Sequence, residues 1–117
     1  MSMNDTMQEV EVTVEGCKAQ VKLMEDLLKL EENPQFQSVI LEDYLEKEVI
    51  RLNGLLGDPN IRANEKVMAN VRGQQEAIAL FLNHLMSIKV KGQEAAGALA
   101  DYEQALANGE FDEDLDA

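Results

Sequence analysis

Of the residue types that most often carry chemistry, this 117-residue sequence has one histidine, His84, and one cysteine, Cys17. A metal site built on a helix needs a second ligand one turn away, but the positions four residues from His84 are Leu80 and Ile88. His84 therefore reads as a surface or boundary residue. Cys17 is far from His84 in sequence and lies on an apolar stripe, so it reads as a small buried residue and not as an activated thiol. A single cysteine allows no intramolecular disulfide, and a reducing cytoplasm is the compartment it suggests.

The carboxylates are numerous but unremarkable in placement. Pairs such as Glu31-Glu32 and Glu42-Asp43 sit in polar contexts that give no reason for a shifted pKa. Asp112, Asp114 and Asp116 echo the opening of a calcium loop without its glycine and closing glutamate. The glycines are scattered singly, so no phosphate cradle is formed. Met24, Met68 and Met86 fall on apolar stripes, where core filling is favoured over an adaptive binding groove. No catalytic residue, cofactor site or metal site is expected, and the chain does not read as an enzyme.

With 45% hydrophobic residues the chain is too apolar for full disorder despite a net charge of −13. Five aromatic residues leave the core to Leu, Val, Ile, Met and Ala, which favours helices. Residues 1–33 carry eight acids and three lysines (net −5), and residues 34–59 five acids and two bases (net −3). Residues 60–91 reverse sign, with five bases against Glu65 and Glu76 (net +3), before 92–117 add eight acids and no base (net −8). This balance repels phosphate backbones, so direct nucleic-acid binding is not expected. The acidic ends instead suit the basic middle, within one chain or between copies. The longest strongly apolar run, Ala77 to Leu82, is far short of the roughly 20 residues of a membrane span, and the start of the sequence does not resemble an export signal.

Three apolar stripes define the elements. Val10, Val14, Cys17, Val21, Met24 and Leu28 advance in steps of three and four and predict a helix from about Val10 to Glu32, outweighing the short alternation at Val10, Val12 and Val14. Asn33-Pro34 starts a second helix, with Asn as cap and Pro at its first position. Its stripe is Phe36, Ile40, Leu41, Leu45, Val49, Leu52 and Leu56, widened by Val39, Tyr44, Ile50 and Leu55, and it ends at Gly57, expected to take the left-handed conformation. Asp58-Pro59 restarts the chain in the same way. From Asn60 the steps through Ile78, Phe81, Leu85, Ile88, Gly92, Ala95, Leu99, Tyr102 and Leu106 predict a third helix of about 45 residues with a coiled-coil-like seven-residue repeat. Gly73, Gly92 and Gly97 suggest a bend or break, Gly92 being the first choice.

The expected architecture is all-α: three or four helices in an antiparallel hairpin or bundle with a long C-terminal helix. Residues 1–9 should form a flexible start, 10–107 the helical domain and 108–117 a disordered acidic tail after Asn108-Gly109. The two shorter helices cover only half of the third, so Ala95, Leu99, Tyr102 and Leu106 are expected either to protrude and contact another protein or to fold back. Self-association into a homo-oligomer or binding to a protein partner follows.

The segments Leu30-Glu31-Glu32-Asn33-Pro34-Gln35-Phe36 and Val39-Ile40-Leu41-Glu42-Asp43-Tyr44-Leu45-Glu46-Lys47-Glu48, with Arg51-Leu52, resemble small helical proteins of tailed bacteriophages encoded near head and packaging genes. The resemblance covers roughly Leu27 to Leu56 and carries no catalytic residues. It implies a structural or assembly role in virion formation and a place in the host bacterial cytoplasm or the virion. A second reading is an acidic decoy that presents carboxylates to a basic host protein, as DNA mimics do.

Overall fold

In the computed structural model the backbone is described for residues 3–109 and the side chains for residues 14–109. The architecture is an all-α hairpin-like arrangement with a long C-terminal helix, and no strand occurs among the described residues. Helix α1 spans Met3–Glu31. A continuous helical rod follows, made of α2 (Pro34–Phe36), a π-helical stretch (Gln37–Lys47) and α3 (Glu48–Leu56). A single turn, α4 (Pro59–Arg62), leads into α5, Glu65–Ala107.

The boundaries have local causes. The Asn33 side chain accepts from the Phe36 N–H at 3.0 Å, with Pro34 at the first helical position. Asp58 repeats the device, accepting from the Asn60 N–H at 2.8 Å ahead of Pro59. Asn64, which carried no weight in the sequence reading, caps α5 by accepting from the Val67 N–H at 3.2 Å. Because Asp58-Pro59 starts only one turn before this second cap, the long helix begins at Glu65 and not at Asn60. Gly57 ends α3 in right-handed geometry, φ −87°, and not in the left-handed form expected of it; its N–H reaches the Gly54 carbonyl at 3.2 Å. The left-handed stop is Gly109, φ 74°, whose N–H meets the Leu106 carbonyl at 3.1 Å.

The chain divides into two compact units, residues 1–27 with 88–117, and residues 28–87. In the first, α1 pairs with the C-terminal half of α5. Met24, near the end of one segment, lies against Gly92, near the start of the other, so the two run antiparallel. Leu27 and Ala95 are buried there, and Gly92 with them. Val14, Cys17, Val21 and Met24 on α1 and Leu99 and Tyr102 on α5 are half-buried. The expected break at Gly92 does not occur: α5 is one helix through all three of its glycines. A missing side chain at Gly92 serves close approach of α1 here, not bending.

In the second unit, the 34–56 rod packs antiparallel on the N-terminal half of α5 around Leu52, Val71 and Ile78. Tyr44, Leu45, Val49, Leu55, Leu56 and Ile61 close over this core. The Tyr44 and Phe81 rings meet edge-on at 6.0 Å, and Asn53 accepts from Gln75 at 2.8 Å. At the entry to the rod, Gln37 Nε2 donates to the Glu31 carbonyl at 2.7 Å. The i→i+5 winding of Gln37–Lys47 is a departure from the plain α-helix the stripe suggested, and no proline or glycine in that stretch marks it. The proposed tail falls almost wholly outside the described residues, within which only the Asn108-Gly109 turn lies.

Candidate protein-contact surface

Chemistry-bearing groups remain dispersed. His84 is exposed on α5 and Cys17 is half-buried on α1. Among the described residues no three His, Cys, Asp or Glu side chains are grouped to hold a metal ion. Glu48 accepts from Arg51 Nε at 2.7 Å and from its Nη2 at 2.8 Å, and this hydrogen bonding, opposed by desolvation and helped by the guanidinium charge, holds the carboxyl below its ordinary range. Arg51 also reaches Gln74 Oε1 at 3.4 Å, so the pair ties α3 to α5 and serves packing.

The four residues expected to form an interaction stripe are not equivalent. Ala95 is 3% exposed, inside the seam with α1. Leu99 and Tyr102 are half-buried on the same seam, and Leu106 is open at 44%. The stripe is covered as far as Tyr102 because α1 runs antiparallel along this half of α5, with Val14, Cys17, Val21 and Met24 half-buried on its facing side.

Exposed apolar surface lies elsewhere. Ile50 on the rod is 72% exposed and Val39 60%. On α5, Leu80, Leu82, Met86 and Val90 range from 42% to 65%. In the sequence Val39 and Ile50 widen the face of the second helix, Met86 falls among the core-filling methionines, and Leu80, Leu82 and Val90 lie off the stripe. Their missed signal was that one partner helix covers only about a third of a helix circumference. An open depression between α4 and the start of α5 is lined by Arg62, Glu65, Met68, Ala69 and Arg72, and Arg62 Nη1 donates to the Leu56 carbonyl at 3.0 Å on its edge. No helix of the described residues is long and apolar enough to cross a membrane. Comparison with protein-family models, with curated proteins and with solved structures finds no match.

Proposed function

We propose that this chain is a non-enzymatic structural or assembly component that acts through helix faces laid on other protein surfaces, a second copy of itself included. The observation that supports this is the imbalance of its apolar side chains. Among the described residues Leu27, Leu52, Val71, Ile78 and Ala95 are buried, while twelve large hydrophobic residues stay open, among them Ile50, Val39 and Leu80. Full burial of such a side chain from full exposure is worth roughly 1.5–3 kcal/mol, so covering the part still open lets a partner surface supply stabilisation that paired helices cannot supply alone. The resemblance to small bacteriophage proteins gives the setting: virion assembly, in the host cytoplasm or on the particle.

The test is affinity capture of the tagged chain from phage-producing cells, alongside mass spectrometry of purified particles. The reading expects a defined phage protein or the particle itself to retain the chain, and retention to fall when Ile50 and Leu80 are both changed to Lys. Capture of a basic nucleic-acid-binding host protein, released by salt, would replace it with the decoy reading that the net charge of −13 also suits.

A further inference from the structure

The π-wound stretch Gln37–Lys47 is built largely from good α-helix formers, among them Leu41, Leu45, Glu42, Glu46 and Lys47, and holds neither proline nor glycine. π-helical winding is rare and mostly limited to single turns, so local preference favours an ordinary α-helix here. The reason for the departure lies in where the apolar side chains fall.

At the α-helical step of about 100° per residue, Phe36 and Ile40 would stand about 160° and 120° around the rod from Leu52, and Tyr44 about 80°. Phe36 and Ile40 would then point away from the core. A π-helix turns through only about 82° per residue, and eleven such steps bring Phe36, Ile40 and Tyr44 to within about 40° of Leu52. Burial follows the π winding. Phe36, Ile40, Tyr44, Leu45 and Val49 are half-buried and Leu52 is fully covered, whereas Val39, Glu42, Asp43, Glu46 and Lys47 are exposed.

Two preferences therefore oppose each other over the same eleven residues: backbone propensity favours α, and side-chain burial favours π. We infer that Gln37–Lys47 is a two-state winding device built into the rod. The π form holds Phe36 and Ile40 inward. Rewinding to α swings Phe36 outward by about half a turn relative to Leu52, turns Ile40 out with it, and lengthens the stretch by about 4 Å. Neither anchor has to unfold, because the Asn33 cap lies before the stretch and the Leu52 core after it. The contact that gives way is the edge-on meeting of Tyr44 with Phe81. The winding thus sets how much apolar surface the rod shows, and a few side chains bias which of the two packings prevails.

The test is NMR of the full chain, in which through-hydrogen-bond couplings tell i→i+5 from i→i+4 partners and relaxation dispersion reads exchange between them. The native chain should show i→i+5 couplings across Gln37–Lys47, with microsecond-to-millisecond exchange confined to the rod around that stretch. Phe36→Gln combined with Ile40→Gln removes the reason for π winding. It should raise the α-wound fraction at least about tenfold and make i→i+4 couplings dominant, while Leu52, Val71 and Ile78 keep their chemical shifts. Deleting Glu42 and Asp43 should abolish the exchange, because nine α steps turn through nearly the same angle as eleven π steps, about 900°, and keep Phe36 and Ile40 inward. A native chain without exchange, or a double variant that keeps its i→i+5 couplings, overturns the device. These readouts need no partner, so either failure leaves the helix-contact reading above standing, and the absence of any partner leaves the winding equilibrium intact.

Discussion

Gly92 of α5 is seated against Met24 of α1 so closely that a Cβ on Gly92 would fall 2.6 Å from the Met24 sulfur and 2.8 Å from its Cγ. Gly92→Ala therefore has to push the two helices apart. The expected cost is about 1–3 kcal/mol from overpacking, enough to outweigh the gain of up to about 1 kcal/mol that alanine brings to a helix interior. Gly73→Ala, with nothing within 4 Å of its Cβ, should show only the gain. Urea denaturation of both variants checks the contrast.

Leu99 and Leu106 share a sequence stripe but not an environment. Leu99→Asp places a carboxylate on the seam facing α1 and should lower stability by about 2–4 kcal/mol. Leu106→Asp, at a position already 44% exposed, should cost less than about 1 kcal/mol. Thermal melts of the single variants separate the two. Equal losses would mean that the end of α5 is packed as tightly as its middle.

The paired caps make a local prediction. Asn33→Ala removes the acceptor for the Phe36 N–H and should cost about 1 kcal/mol, and Asn33→Asp should retain most of the stability. Chemical denaturation resolves the difference.

Glu48 gives a pH signature. Its folded pKa is depressed by Arg51, so its contribution is present above the unfolded carboxyl pKa and is lost as pH falls through the folded value. The Tm gap between the native chain and Glu48→Gln should be small at neutral pH and close on acidification. A gap that widened in acid would contradict the assignment.

The start of the rod and the end of α5 were legible because Asn33-Pro34 and Asn108-Gly109 encode their geometry locally, whereas Asp58-Pro59 starts only the turn α4 and the Asn64 cap sets the start of the long helix. The seam was legible too, since the steps from Ile78 to Tyr102 mark residues that do face a neighbour. What it faces was not. Periodicity reports that Ala95 and Leu99 are covered without saying by which helix, and only the pairing of α1 with the C-terminal half of α5 resolves it. The π-helical winding of Gln37–Lys47 is announced by no proline or glycine, since neither lies in that stretch. The exposed face of α5 was hidden for the opposite reason: Leu82, Met86 and Val90 look like core residues until the structure shows which side is already taken.

The central claim is that these open helix faces exist to meet another protein surface, a second copy first among them. Sedimentation equilibrium of the native full chain across micromolar concentrations measures this most directly. The expected result is a mass approaching twice the 13.0 kDa of one chain, falling toward one chain on dilution. A single-chain mass at every concentration, together with no retained partner from phage-producing cells, would contradict it.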